Sequence, residues 1–323
     1  MFSSYKTLRW LKPFLLIFLG IALSGCQPWQ MNRISDQILP SNQRDWNPGL
    51  SVLPQFNRDN EKGTLTNIRR CDYLTSDDYV VRHYDRTFTI TEIESLDFIV
   101  APSNDRPAIC HAMLSFGLQD GTYLCVSIEG RTEKDEIYSP LLSLGRQYEI
   151  TYVVGDEQDL IGARALHRDL EIQIFPTIAS PEQSQRVFLD LMDRVNQLRF
   201  TPEFYDPIQN SNRSNLNRHL SLLQPVANKP SWQTFSLGFS PRQAYEQGLL
   251  ENRVSFETLE SLANVTSLAR QYYDAPDFSK RIREPQETVK RLAAHQQLRD
   301  DRNRSQEPPT SGPATQRRPP ARW

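Results

Sequence analysis

The residues best suited to chemistry lie in one stretch of the chain, where a histidine precedes a run of alternating charges. His111 sits in a strand-like segment among apolar neighbours, and Glu129, Arg131 and Glu133 alternate further along. Alternate residues of a strand share one face of a sheet. The three charges therefore predict either a polar wall beside His111, suited to acid–base work, or a solvated charge ladder. His111 itself is either a base in that site or a satisfied core residue.

Standard catalytic and ligand-binding motifs are absent from the sequence. No HExxH or CxxC pattern indicates a metal, and no GxSxG, Walker A or GxGxxG pattern indicates a hydrolase elbow or a nucleotide. We therefore expect no metal and no cofactor. The chain has 37 Lys and Arg against 39 Asp and Glu, so its overall charge gives no reason to expect nucleic acid.

The N-terminus carries a signal of a different kind. Three basic residues precede an apolar run from Phe14 to Gly25, which is shorter than the about 20 residues of a spanning helix. The run ends in Leu23-Ser24-Gly25-Cys26, which looks like a bacterial lipobox with Cys26 as the lipidated mature N-terminus. Gln27, rather than Asp, follows the cysteine, which favours the outer membrane. A plain signal peptide or an uncleaved anchor is the alternative.

Four cysteines in 323 residues exclude a disulfide-dense scaffold. Cys110 and Cys125 flank a predicted hairpin turn at Asp120-Gly121. If those two residues form the turn, Cys125 lies opposite residue 116 and far from Cys110, so we expect no bridge between them. A bridge from Cys71 to either of them stays open.

Strands and then helices must position these residues. The strand-like segments are Tyr79–His83, Thr87–Ile90, Asp97–Val100, Ile109–Gly117, Thr122–Glu129, Tyr148–Val154 and Glu171–Phe175. A helix begins at the capping box of Ser180, and another begins at Ser240 and ends by Gly248. A short helix falls within 201–220, and further helices are predicted over 255–272 and 278–298. The pattern predicts an α+β fold with a mostly antiparallel sheet and packed helices.

Several motifs, in their order and spacing, resemble the family named for the N-terminal periplasmic domain of Lnb, a bacterial lipoprotein N-acyltransferase. They include Asp45-Trp46-Asn47-Pro48, His111 through Gly117, Ser127-Ile128-Glu129, Phe204-Tyr205 and Arg281-Ile282-Arg283. The similarity spans about residues 44–285. The resemblance implies a circularly permuted papain-like fold, in which the histidine precedes the nucleophile along the chain.

The resemblance also implies residue roles. The family's histidine stands in a His-x-x-x-Ser-Phe context, which here is His111. Its nucleophile is a cysteine that opens a helix, where the helix N-terminus lowers a thiol pKa. An ungapped comparison puts Asn212 at that position, a one-residue gap puts Ser211 there, and Ser214 is close. Asparagine cannot attack an acyl group, so thiol catalysis is altered or lost.

Three functions compete. The first is a lipoprotein that binds an acyl chain, a lipoprotein N-terminus or an envelope peptide. The second is an acyltransferase or hydrolase in which His111 activates Ser211 or Ser214, with Glu129 or Asp156 as the orienting carboxylate. The third is a structural or adaptor lipoprotein of the envelope.

The sequence divides into five predicted regions. These are a signal peptide over 1–25, a lipidated N-terminus and tether over 26–60, an α+β core over 61–225, a helical region over 226–298 and a disordered, basic, proline-rich tail over 299–323. The tether has one anchored spot, at Asp45-Trp46. The expected location is the periplasm, where acylated Cys26 would anchor the protein to the lipid bilayer.

Overall fold

The computed structural model describes residues 39–102, 110–223 and 240–306. The predictions for the signal peptide, for Cys26 and for the end of the tail lie outside these residues. Within the described ranges, no helix has the length and apolar character needed to cross a membrane.

The described strands form one mixed eight-stranded sheet. The strands are β1 (Gln55–Asp59), β2 (Lys62–Tyr73), β3 (Tyr79–Thr89), β4 (Ile93–Pro102), β5 (Cys110–Leu118), β6 (Tyr123–Arg131), β7 (Glu149–Gly155) and β8 (Gln173–Pro176). Their order is β1-β2-β7-β6-β5-β4-β8, and β3 also pairs with β2. Neighbours are antiparallel except β2 and β7, which pair in parallel at Arg69 and Gly155.

Strands β1 and β2 are absent from the sequence-based prediction. Strand β1 lies within the segment predicted as a tether to residue 60, so that segment joins the sheet earlier than expected. In β2 a register shift separates Leu65 from Ile68, and Asn67 between them has a φ of 61°. This bulge breaks the alternation of apolar and polar residues that would have indicated a strand. The two segments predicted over 79–90 are one continuous strand, β3.

The hairpin of β5 and β6 forms at the predicted place with a different register. Ser115, rather than residue 116, pairs with Cys125. The prediction was wrong by one residue because the loop holds three residues rather than two. Leu118 and Thr122 close it through a backbone hydrogen bond of 2.9 Å, and Gly121 takes a φ of 80°, as such loops require.

Two helix starts agree with the capping residues predicted from the sequence, Ser180 and Ser240. The helices of the described ranges are numbered in chain order. They are α1 (Pro48–Ser51), α2 (Pro140–Ser143), a π-helical turn (Gln158–Gly162) continuing into α3 (Ala163–Leu166), α4 (Pro181–Phe200), α5 (Asn212–Leu220), α6 (Pro241–Glu246), α7 (Phe256–Ala263), α8 (Thr266–Gln271), α9 (Phe278–Arg281) and α10 (Glu284–Gln306). Ser180 caps α4 and Ser240 caps α6, while Gly248 ends the latter segment with a φ of 68°.

Two helical predictions were wrong in their bounds. The segment 255–272 is broken between α7 and α8, where the Asn264 side chain accepts from the Thr266 amide and starts a new helix. The segment 278–298 is also two helices, and α10 runs to Gln306, into the region predicted as tail.

Helices cover both faces of the sheet. On one face the ring of Phe188 in α4 makes T-shaped contacts with the rings of Phe56, Phe88 and Phe116, at centroid distances of 5.2–5.7 Å. On the other face Met113 and other sheet residues pack against the π-helical turn, α8 and α9. His111, Ser127 and Glu129 share this second face, because they keep the alternation of Met113 on β5 and Cys125 on β6.

A buried ion cluster fastens the C-terminal helices to the sheet. Arg283, between α9 and α10, donates to Asp97 at 2.8 Å and to Glu157 at 2.5 and 2.7 Å. Ser115 also donates to Glu157, and the guanidinium lies 3.4 Å above the Tyr123 ring. Burial raises the pKa of Asp97 despite the neighbouring Arg283.

Cys71 and Cys125 are buried free thiols, so neither forms the bridge that the sequence left open between them. Burial, with Asp159 nearby, raises the pKa of the Cys71 thiol to about 12. Both are therefore poor nucleophiles. The side chain of Cys110 lies outside the described part of the structure.

Candidate functional site

A cavity of about 460 Å³ opens on the second face of the sheet, where β5 and β6 separate. Its lining combines charge with aromatic rings. The principal members are Arg69, Arg164, Arg168, His111, Glu129, Asn212, Tyr73, Tyr79, Tyr138 and Tyr205. The volume falls in the range of small-molecule sites, about 300–1,000 Å³.

Asn212 forms the point at which β5 and β6 part. The ladder between these strands ends at the pair Met113–Ser127. Beyond it, the Asn212 amide donates to the Ala112 carbonyl at 2.8 Å and to the Ile128 carbonyl at 3.0 Å, and accepts from the Ala112 amide at 3.4 Å. The side chain thus replaces ladder hydrogen bonds beside His111.

Helix α5 brings Asn212 to this position and is fixed at its other end by His219. The His219 Nδ1 lies 2.5 Å from Asp190 of α4, and its Nε2 lies 2.8 Å from the Tyr152 hydroxyl of β7. His219 is almost fully buried. The hydrogen bond from His219 holds the pKa of Asp190 below its ordinary value.

A network of hydrogen bonds surrounds His111 in the cavity. The His111 Nε2 lies 2.6 Å from the Ser127 hydroxyl and 3.3 Å from a Glu129 oxygen. Ser127 donates to Glu129 at 2.6 Å, and Arg164 donates to the same oxygen at 2.7 Å. The residues of this hydrogen-bonded network come from β5, β6 and α3, which come together only in the folded protein.

Electrostatics keep Glu129 ionised. Burial alone would raise its pKa, but His111, Arg164 and the Ser127 hydrogen bond hold the pKa well below its ordinary value. The Nε2 of His111 therefore faces a carboxylate. Within the described residues no hydrogen-bond partner is recorded for Nδ1, and a quarter of the ring's side-chain surface is exposed. This nitrogen is the one left for a ligand.

The two predicted serines take structural positions. Ser211 is the N-cap of α5, where its side chain accepts from the Ser214 amide, and the two hydroxyls lie 3.3 Å apart. Ser214 lines a different cavity, together with Arg194 and Glu203. No serine or cysteine of the described residues lines the cavity beside His111. The catalytic role of Ser211 or Ser214 therefore stays a prediction, since neither serine contacts His111.

Of the two candidates for an orienting carboxylate, Glu129 is the one in contact with His111. Asp156 accepts from the Tyr84 hydroxyl at 2.5 Å and lies 3.8 Å from Arg70. Burial raises the pKa of Asp156. The geometry therefore brings His111 and Glu129 together and leaves Asp156 apart.

Arg131 fits neither of its predicted roles. Only 1% of its surface is exposed, which excludes a solvated charge ladder. Its guanidinium turns to the N-terminal segment, where it donates to the carbonyls of Leu50 and Ser51 and to the Asn42 side chain, and it lies 4.1 Å from the Trp46 ring. Arg131 thereby fixes α1, which lines the cavity through Leu50, and the anchoring predicted at Trp46 is confirmed.

Three cavity arginines were missed as site residues. Arg69 forms a two-pronged ion pair with buried Asp159, at 2.8 Å for both contacts, and donates to the Gly49 carbonyl. Arg164 and Arg168 follow the π-helical turn. Arg164 lies in α3, whereas Arg168 follows the end of that helix, so no helical spacing in the sequence relates the two. The Arg69–Asp159 pair spans too many residues to be read from spacing.

The described residues thus form an α+β domain with a cavity, lined by charged and aromatic side chains, at the point where β5 and β6 separate. Residues 80–240 match the model of the family described as the Lnb N-terminal periplasmic domain. This match confirms the predicted family over these residues. The family description implies a periplasmic or envelope location. No curated protein and no solved structure matches the chain.

Proposed function

We propose that the protein is a lipid-anchored periplasmic lipoprotein that binds an acyl-bearing envelope ligand in the cavity beside His111, without forming a covalent intermediate. One observation carries the proposal. The first residue of α5, which faces the His111 strand, is Asn212, and its amide is committed to the carbonyls of Ala112 and Ile128. A side chain bound in this way neither attacks an acyl group nor leaves room for a thiol.

The chain order supports a permuted papain-like arrangement as part of this proposal. His111 lies on a strand that precedes the helix opened by Asn212, as the family resemblance implies. The pair of histidine and carboxylate is retained, since Glu129 contacts His111 at 3.3 Å. Asn212 stands in place of the family's cysteine, while His111 and Glu129 lie beside the cavity, where they can orient a ligand.

The cavity lining suits an acyl chain with a polar end. Leu50, Ile128 and four tyrosine rings provide apolar surface, while the charged groups cluster around His111. Tyr138, which is 42% exposed, lies against Tyr205 at a ring distance of 6.1 Å. It therefore offers a ring that is both part of the lining and open to solvent.

The anchor rests on the sequence at Cys26. A lipidated Cys26 would hold the domain at a membrane surface, where acyl-bearing ligands are concentrated, and Gln27 favours the outer membrane. A Cys26→Ser protein that stayed in the membrane fraction of cells would contradict the lipid anchor.

The binding proposal is tested by titrating the full chain, held in nanodiscs, with monodecanoylglycerol, a neutral acyl probe, against empty nanodiscs. We expect saturable binding that weakens about 5- to 30-fold in Tyr138→Ala, since loss of a buried ring contact costs about 1–2 kcal/mol. Phe200→Ala is the matched control, because Phe200 is an exposed ring outside the cavity lining.

Catalysis is the competing outcome of the same preparation. If p-nitrophenyl decanoate were hydrolysed faster by the wild type than by His111→Ala, the serine hypothesis would replace ours. Absence of saturable binding in the wild type would contradict the proposed function and leave the adaptor hypothesis.

A further inference from the structure

We infer that the cavity recognises an oxyanion, a carboxylate or a phosphate, at the polar end of its ligand, and that Arg168 is the residue that selects it. The inference rests on the proposed function and names the class of head group that the cavity prefers. Among the lining residues, three arginines and His111 stand against one carboxylate, Glu129. The whole chain has a formal net charge of -2, so the cationic lining is a local feature.

Two of the three arginines are already neutralised. Arg69 is paired through both prongs with Asp159 and uses its remaining nitrogen on the Gly49 carbonyl. Arg164 is paired with Glu129 and donates to the Leu160 carbonyl. These two side chains shape the cavity and have little capacity to bind a ligand's charge.

Arg168 is the cation left over. Arg168 is exposed and lines the cavity. Within the described ranges, its guanidinium makes no hydrogen bond or ion pair. A guanidinium offers five donors in a fork that matches carboxylate and phosphate oxygens. Arg168 is therefore the side chain with free donors facing the cavity.

Neighbouring charges favour an anion at this place. Burial lowers the pKa of Arg164, and the charges of Arg168 and Arg69 lower it further, while Glu129 raises it. The cations therefore repel one another inside the cavity. A bound oxyanion beside Arg168 would relieve this repulsion, and the low dielectric of the surrounding protein strengthens the attraction.

The neighbouring hydroxyls do not compete for that role. Tyr73 donates its hydroxyl proton to Asp159 at 3.0 Å, and Tyr79 donates to the Asn47 side chain at 3.0 Å. Both phenols therefore present acceptor oxygens to the cavity. Selection of an anion over a neutral head group falls to Arg168, with the Nδ1 of His111 as a further donor when that ring is protonated.

The test uses the full chain in nanodiscs and four probes, which are decanoate, decanoyl-glycerol-3-phosphate, monodecanoylglycerol and inorganic phosphate. We expect the two anionic acyl probes to bind at least tenfold more tightly than the neutral one. Arg168→Gln should remove most of that advantage, because it weakens binding of the two anionic acyl probes more than binding of monodecanoylglycerol. Arg186→Gln is the control, because Arg186 is exposed on α4 and lines another cavity.

Each remaining outcome separates the inference from the proposed function. Equal binding of neutral and anionic acyl probes by the wild type overturns the oxyanion site and leaves acyl binding intact. An advantage that persists in Arg168→Gln overturns the assignment to Arg168. Inorganic phosphate binding as tightly as the acyl phosphate supports the oxyanion site and contradicts acyl binding. If no probe binds saturably, both proposals fail.

Discussion

Replacing Asn212 by alanine should destabilise the domain through the parting of β5 and β6. The variant leaves the Ala112 and Ile128 carbonyls without the amide that now donates to them at 2.8 and 3.0 Å. An unsatisfied buried carbonyl costs about 1–3 kcal/mol. Because Asn212 lines the cavity, water would restore part of this hydrogen bonding. We therefore expect the free energy of unfolding to fall by about 2–4 kcal/mol.

Urea denaturation of the full chain measures this loss, with the m-value confirming that the same surface is exposed on unfolding. Asn217→Ala is the control on the same helix, because the Asn217 Oδ1 is buried with no hydrogen-bond partner in the described part of the chain. It should change stability by less than about 0.5 kcal/mol. Asn212→Asp should cost more than alanine, since a carboxylate would face two carbonyl oxygens. Equal stabilities for Asn212→Ala and Asn217→Ala would refute the reasoning.

Three further predictions concern the elements that position the site. Arg283→Met should lower the free energy of unfolding by about 3–5 kcal/mol in urea denaturation. The loss should be larger at pH 8 than at pH 5, because protonation at the lower pH neutralises buried Asp97. Asp190→Asn should cost about 1 kcal/mol or less at pH 7 and should weaken the loss of stability that wild type shows below about pH 4, since His219 depresses the pKa of Asp190. Phe188→Ala should lower stability by about 3–5 kcal/mol, measured in the same way. A pH-independent cost for Arg283→Met, an unchanged acid limb for Asp190→Asn or a cost below about 1 kcal/mol for Phe188→Ala would each contradict its prediction.

The sequence predicts those parts of the fold that are specified locally. Ser180 and Gln183 form the capping box of α4 within four consecutive residues, and Val187 and Phe188 begin a buried face at helical spacing. Strand β2 escaped prediction because its bulge at Asn67 interrupts the alternation on which strand prediction rests. The hairpin register failed for a related reason, since one extra loop residue shifts every pair.

The candidate site was predicted in part. The neighbourhood of His111 and Glu129 was one of two interpretations of alternating residues, and the structure brings the two side chains into contact. The pairing of Arg69 with Asp159 joins residues that no local pattern relates. The hydrogen bonds between the Asn212 side chain and the Ala112 backbone also depend on the packing of α5 against the sheet. The family resemblance therefore put Asn212 at the position of the nucleophile but did not predict these hydrogen bonds.

The central claim is that an acyl chain occupies the cavity beside His111. The most direct measurement is photolabelling of the full chain in nanodiscs with a diazirine-bearing decanoylglycerol, followed by peptide mapping with and without excess monodecanoylglycerol. We predict competed adducts on the lining residues Leu50, Ile128 and Tyr138. Adducts confined to exposed apolar residues outside the lining, such as Phe200 and Ile208, and insensitive to competition, would contradict the account.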